Sequence, residues 1–251
     1  MIIGPSNGWL YLKKVYSMAK QEALFKKAGA NAVEISFSSE WRNEENKKRM
    51  RSLEENSGFN PQIFVHRSIH LPDITGRENN QEFSTAQKAV SRAKASFALT
   101  HPLKSKGDYP IKSYKLMIQR RIPLAIENMD KRKDSGFDLK ELGKLIDIVG
   151  YFVLDVQHAF ERDPTMKYAF DLFKMAKNKL AYLHVSGETS NCNHALVFRS
   201  VNCEQIVSFL GTIFSEIETP IILEGEYSTY KELNQEIIFL TQELTNQKTA
   251  G

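Results

Sequence analysis

The sequence predicts an α/β protein built as a single (β/α)8 barrel over residues 1–251. Three observations carry this reading. Short apolar runs rich in Ile, Val, Leu and Phe alternate along the whole chain with longer segments of helical period. Their starts fall about 30 residues apart, the size of one βα unit. Eight such units in 251 residues is the arithmetic of a closed barrel. An open doubly wound sheet would need longer units or a second domain, and no Ser/Pro/Gly-rich linker separates one.

The elements follow in order from the switch between period 2 and period 3.6. Strands are predicted at 1–4, 31–37, 63–70, 96–101, 122–128, 150–158, 180–185 and 220–224. Helices are predicted at 10–28, 44–56, 84–95, 111–120, 139–149, 166–178, 203–217 and 230–246. Each crossover helix returns the chain to the same end, so the strands run parallel. Two segments break the rhythm: 38–55, which is long and highly charged, and 186–202, a polar stretch with little helical pattern. Both would lie on the C-terminal face of a barrel, where function collects. For the first, a solvated helix face is the plainer reading.

Composition excludes several classes. A hydrophobic content of 41% and a charged content of 25% are those of a globular protein, not of a disordered chain or a collagen-like fibre. The net charge of +4 permits phosphate-bearing partners without demanding nucleic acid. Two cysteines, Cys192 and Cys203, cannot build a disulfide framework, and a cytoplasmic protein is expected. The N-terminus lacks the pattern of a signal peptide, and no apolar run approaches the roughly 18 residues that span a bilayer, so no membrane partner is expected.

The polar strand ends carry the chemistry. Five of the six histidines fall at or just after a predicted strand's C-terminal end: His70, His101, His158, His184 and His194. Four carboxylates do likewise: Glu34, Glu127, Asp155 and Glu224. One such histidine would ordinarily be a packed or hydrogen-bonded residue; five at equivalent topological positions converge on one pocket. Side-chain alternation pairs Ala125 with Glu127, Val153 with Asp155, Tyr182 with His184 and Ile222 with Glu224. If the polar member of each pair points inward, its partner fills a barrel layer. Glu127, Asp155, His184 and Glu224 would then meet at the axis, and three buried carboxylates beside one imidazole need a cation. Oxygen-rich ligation with one nitrogen suits Mn, Mg or Zn. His66, mid-strand, is read as a core residue. No P-loop, dinucleotide fingerprint, nucleophile elbow or C-x-x-C pair is present.

The strand-end segments Ile126-Glu127-Asn128, Leu154-Asp155-Val156-Gln157-His158-Ala159, Leu183-His184-Val185-Ser186 and Ile222-Leu223-Glu224 resemble the xylose isomerase-like TIM barrels. That superfamily includes endonuclease IV-type DNA repair enzymes and many sugar isomerases and epimerases. The resemblance runs from end to end in order and spacing and is most specific over 125–160. It implies a shared metal held by Glu127, Asp155, His184 and Glu224. Its endonuclease IV branch adds ligands for further zinc ions, matching His70 (Ser-Ile-His-Leu-Pro), His101 (Thr-His-Pro-Leu), His158 and His194. The branch's Asp two residues before the last histidine is Cys192 here, so the third position either uses a thiolate or is vacant. The aromatic residue that repair enzymes carry at the third-strand exit for insertion into the duplex is also missing. Trp41 and Arg42 could contact nucleic acid, although a helix-packing aromatic is the plainer reading of Trp41.

Two reactions follow from the resemblance. The first is phosphoester hydrolysis by a zinc cluster, with Glu127 bridging two metals and a phosphate-bearing substrate such as abasic DNA. His70 and His101 favour it, and Lys104, Lys106 and the run Lys131-Arg132-Lys133 could hold phosphate. The alternative is isomerisation or epimerisation of a small sugar or sugar phosphate on one Mn, Mg or Zn ion, with Glu127 and Glu224 as the acid–base pair and His158 binding a hydroxyl. Zinc is the metal expected for the first. A non-catalytic binding module ranks last, having no need for so many metal-type ligands. Replacing Glu127 by Gln is expected to abolish activity and to relieve buried negative charge in the metal-free protein.

Overall fold

A computed structural model describes residues 1–37, 41–55 and 59–250. The expected helix end at Asn56 and the start of the charged 38–55 segment lie outside these residues. The strands are β1 Ile3–Pro5, β2 Ala32–Ser36, β3 His66–His70, β4 Phe97–Thr100, β5 Leu124–Glu127, β6 Tyr151–Asp155, β7 Leu180–Val185, the short pair β8 Gly187–Thr189 and β9 Cys192–Ala195, and β10 Ile221–Leu223. Eight of them form one parallel sheet in the order β1-β10-β7-β6-β5-β4-β3-β2. The barrel closes where Ser6 pairs in parallel with Glu34 and Asn31 N donates to Ile3 O at 3.0 Å. Closure needs a glycine at this seam. A Cβ on Gly4 would lie 1.8 Å from the Ala32 carbonyl oxygen, inside any allowed contact.

The helices are α1 Gly8–Leu12, α2 Met18–Lys27, α3 Glu44–Glu54, α4 Asn80–Ala93, α5 Ile111–Gln119, α6 Leu139–Val149, α7 Val156–Arg162, α8 Lys167–Ala176, α9 Cys203–Glu216 and α10 Tyr230–Ala250. Four departures from expectation have local causes. The helix expected over 10–28 is two, because Lys14 takes a left-handed conformation and Ser17 caps a new start. The helix after β3 begins four residues early, at Asn80, because Asn79 and Glu82 form a capping box. The sixth strand stops at Asp155 instead of running to His158, because Asp155 accepts from His158 N and caps α7. The polar 186–202 stretch holds the antiparallel β8/β9 pair and a 3-10 turn at Val197–Arg199.

Two cores result. Between the strands and the helices lies a continuous apolar shell that includes Leu183, Ile221, Phe173 and Phe209. Inside the barrel, Ala32, Leu99, Ala125, Val153, Tyr182 and Ile222 form a separate buried layer. This is the layer that side-chain alternation predicts, and it floors the site above it. His66 sits in this interior against Tyr182 and Phe97, with burial lowering its imidazole to about 4. It is a core residue. Among the described residues, no helix is long and apolar enough to cross a membrane.

Candidate metal centre

The site is built by strand ends in register. β6 and β7 place Asp155 opposite His184, and β10 sets Ile222 beside His184 with Glu224 two residues on. His184 Nδ1 lies 3.1 Å from Glu127 Oε2 and 3.5 Å from Glu224 Oε1. The two carboxylates assigned to acid–base work thus reach the same nitrogen. His101 Nε2 and His70 Nε2 lie 3.0 and 3.9 Å from the other oxygen, Glu127 Oε1. Glu127 therefore turns one oxygen to each of two donor clusters.

Among the described residues, three overlapping groups have ligand atoms within 4.8 Å of one another: His70–His101–Glu127, Glu127–Asp155–His184 and Glu34–His184–Glu224. Six of the eight residues expected to ligate are gathered here. The other two, His158 and His194, face each other with ring centres 6.5 Å apart but form no such group with Cys192. The physical reason lies in the backbone. His158 sits one turn into α7, its Nδ1 on Asn128 O at 2.9 Å and its Nε2 3.9 Å from Asp130 Oδ2. Cys192 and His194 ride on β9, where alternation gives them the same side, yet Ser186 Oγ takes up His194 Nδ1 at 3.3 Å.

Glu34 is the residue that the sequence marks by position but to which it gives no role. It is fully buried in the middle of β2, not at its end as the sequence placed it, and accepts from Tyr182 OH at 2.7 Å and Ser68 Oγ at 3.1 Å. Its Oε2 lies 3.2 Å from His184 Nε2. Its face is readable from Ala32, which shares it and belongs to the barrel layer.

Electrostatics divide the carboxylates. Burial pushes Glu34 up, but the His184 ring outweighs it and holds the group down to about 2. Burial likewise opposes Glu127, yet hydrogen bonds from His101 and His184 keep it well below the ordinary range. Glu224 goes the other way: burial, with the nearby charges of Asp155 and Glu127, pushes it up to about 8 against the pull of His184. Among the imidazoles, burial lowers His70. His101 overcomes the same burial through its bonds to Asp73 and Glu127 and rises to about 10. His184 rises well above the ordinary value on the charges of Glu224 and Glu34.

The donor set fits a divalent metal. Asp155 Oδ2 is buried and makes no hydrogen bond, with His158 Nδ1 3.5 Å away, and a buried carboxylate oxygen without a hydrogen bond is costly. A cation among Glu127, Asp155, His184 and Glu224 would complete the Asp155 oxygen. The mixed nitrogen and oxygen donors exclude no one metal among Zn, Mn and Mg. Beside Glu224 a cavity of about 190 Å³ opens between Ser6, Trp9, Ser36 and His194. Some of the basic side chains are paired: Lys104 on Glu141 at 2.8 Å, Arg132 on Asp130 at 2.8 Å and Arg42 on Glu82 at 3.0 Å. Trp41 packs on Phe37 with ring centres 5.0 Å apart, the structural reading of that residue.

No protein-family model and no curated protein sequence matches the chain. Solved structures do. A D-tagatose 3-epimerase-like protein matches with a TM-score of 0.70 at 13% identity, covering 100% of this chain and 99% of that one. A xylose isomerase domain-containing protein from Salmonella typhimurium matches with a TM-score of 0.68 at 13% identity, covering 97% of each. Endonuclease IV from Thermus thermophilus matches with a TM-score of 0.63 at 16% identity, covering 92% of this chain and 96% of that one. Other matches include ketose 3-epimerases and a dehydratase. Identities this low speak to architecture alone, and they agree on it: the chain has the xylose isomerase-like TIM-barrel fold.

Proposed function

We propose that this protein is a divalent-metal-dependent isomerase or epimerase acting on a small sugar or sugar phosphate. The observation that carries the reading is the convergence of Glu127 and Glu224 on His184 Nδ1, at 3.1 and 3.5 Å, beside a cavity large enough for a small polyol. Moving a proton on and off a carbon next to a carbonyl needs a base and an acid on opposite sides of the substrate. Glu127 and Glu224 are the acid–base pair, with Glu127 held ionised as the base that takes the first proton. When bound, the metal supplies Lewis-acid polarisation of the substrate's carbonyl and hydroxyl oxygens. His158 presents Nε2 to a substrate hydroxyl while Asn128 O fixes its Nδ1. The predominance of sugar epimerases among the similar folds supports this choice.

One observation favours a second reading, zinc-dependent phosphoester hydrolysis on abasic DNA or another phosphate-bearing substrate. It is the His70–His101–Glu127 group, which a one-metal isomerase does not require. Against it stand the ungathered His158, His194 and Cys192 and the pairing of Lys104 and Arg132 with Glu141 and Asp130. The test is metal content per chain together with two assays: interconversion of ketoses in deuterated water, and nicking of a duplex carrying one abasic site. One equivalent of metal with deuterium exchange into a ketose supports the isomerase. Two equivalents with nicking and no exchange refute it in favour of the hydrolase. Neither activity on a metal-loaded protein refutes both.

A further inference from the structure

We infer that Glu34 is a positioning residue: it fixes the tautomer and the orientation of His184, and so sets the affinity of the metal centre without ligating the metal. The inference rests on the metal-dependent reading above and is independent of which reaction is catalysed.

The His184 ring presents its two nitrogens to different groups. His184 Nδ1 faces Glu127 and Glu224 at 3.1 and 3.5 Å, on the side where the Asp155 oxygen lacks a partner. His184 Nε2 faces the opposite way, 3.2 Å from Glu34. A neutral imidazole offers one lone pair and one N–H. To ligate through Nδ1 the ring must carry its hydrogen on Nε2, and a buried N–H needs an acceptor there. Glu34 is that acceptor, and as an anion it makes the bond stronger and the ring nitrogen more basic.

Glu34 is itself anchored. Tyr182 OH at 2.7 Å and Ser68 Oγ at 3.1 Å both donate to Oε2, from β7 across the barrel and from the neighbouring β3. Both donors belong to the rigid barrel, and Tyr182 is fully buried in the floor layer. Three strands therefore converge to hold one carboxylate behind one ring. Glu34 is also the deepest carboxylate of the site, with no exposure at all, whereas Glu224 keeps a side chain 18% exposed toward the cavity. A group so enclosed can reach a substrate only through His184.

The test uses the metal-free full chain titrated with Mn2+ and with Zn2+ alone, so the readout is binding and not turnover. Glu34→Gln keeps the shape and an acceptor oxygen but removes the charge. The expected result is an unchanged number of metal equivalents with an affinity weakened about 10–100-fold, the usual cost of removing such a support. The nitrogen-15 spectrum of the zinc-loaded protein supplies a second readout. The His184 Nε2 proton lies far downfield in the wild type and moves upfield in the variant. Tyr182→Phe leaves Glu34 charged but loosens it, and loses less than about tenfold. It serves as the test if Glu34→Gln does not fold. Unchanged affinity and an unmoved Nε2 proton in a folded variant overturn the inference while the metal reading stands. Loss of one metal equivalent overturns it by making Glu34 a ligand. A wild type that binds neither ion overturns the metal reading, and the inference with it.

Discussion

Metal uptake by this site should release protons, and their number distinguishes one bound ion from two. In the metal-free protein at pH 7, His184 is an imidazolium, being raised well above its ordinary value by Glu224 and Glu34 against its burial. Glu224 at about 8 is mostly protonated, and His101 at about 10 is an imidazolium. Glu127 is ionised and His70 is neutral, so neither contributes. One ion on Glu127, Asp155, His184 and Glu224 needs the Nδ1 lone pair and the Glu224 carboxylate, and so expels about two protons. A second ion on His70, His101 and Glu127 takes the proton from His101 Nε2 as well. Nδ1 keeps its hydrogen on Asp73, 2.5 Å away, so the total becomes about three. The sign follows: raising pH removes these protons in advance, and affinity climbs by about two or three powers of ten per pH unit below pH 8, then less steeply once Glu224 is ionised. Calorimetric titration with Zn2+ in buffers of different ionisation enthalpy reads the count directly. A count near zero at pH 7, or an affinity flat from pH 6 to 8, would refute the charge assignments.

Three further outcomes are expected. Glu127→Gln should abolish metal-dependent activity and should lower, not raise, the melting temperature of the metal-free protein. Glu127 sits between the raised imidazoles of His101 and His184, and breaking a buried pair costs on the order of 3 kcal/mol. A rise in melting temperature on thermal denaturation would reinstate the sequence-based expectation that the charge is uncompensated. Glu236 is buried and accepts from Val197 N at 2.7 Å, yet burial pushes it up to about 7 from near 4.5. The native state then holds a proton that the unfolded state has lost, so its contribution falls as pH rises from 4.5 to 7. Glu236→Gln should match the wild type at pH 5 and exceed it at pH 8 by at most about 3 kcal/mol, read by denaturant titration at both pH values. Cys192→Ser should leave zinc stoichiometry and activity unchanged, since no donor group among the described residues includes Cys192; loss of one zinc by elemental analysis would contradict this.

Most of the barrel is legible in the sequence because its signal is repetitive. Eight apolar runs with polar ends repeat one geometry, and parity alone places Ala125, Val153, Tyr182 and Ile222 in the inner layer. What escapes is local and unrepeated. The capping box of Asn79 and Glu82 extends α4 backward through residues with no apolar period. Asp155 looks like a strand end and a ligand, and its second role as the cap of α7 moves His158 off the strand. The 186–202 stretch hides a strand pair of three and four residues, too short for alternation to register. Glu34 carries the right position and the right chemistry. It goes unassigned because the resemblance gives ligands to six other barrel strands, and a group that acts behind a ligand has no motif of its own.

The three central imidazoles differ in what stands behind them, and this ranks the two halves of the site. His184 is backed by Glu34, a carboxylate with no exposure, held by two hydroxyls. His101 is backed by Asp73, whose side chain is 28% exposed. His70 is backed only by the Leu71 carbonyl at 3.0 Å. A carboxylate behind the ring makes the ligating nitrogen more basic than a carbonyl does, and water at an exposed carboxylate screens that effect. The His70–His101 half also offers one carboxylate, Glu127, against three on the His184 half, so it balances a dication less well. A first ion would therefore go to Glu127, Asp155, His184 and Glu224, and a second, were it bound, would fill the other half more weakly. Asp73→Asn should leave the first binding step unchanged and weaken the second by about tenfold, or leave a single step if only one ion binds. A first step weakened as much as the second would mean that the two halves are one site, and the ranking of the imidazoles would be wrong.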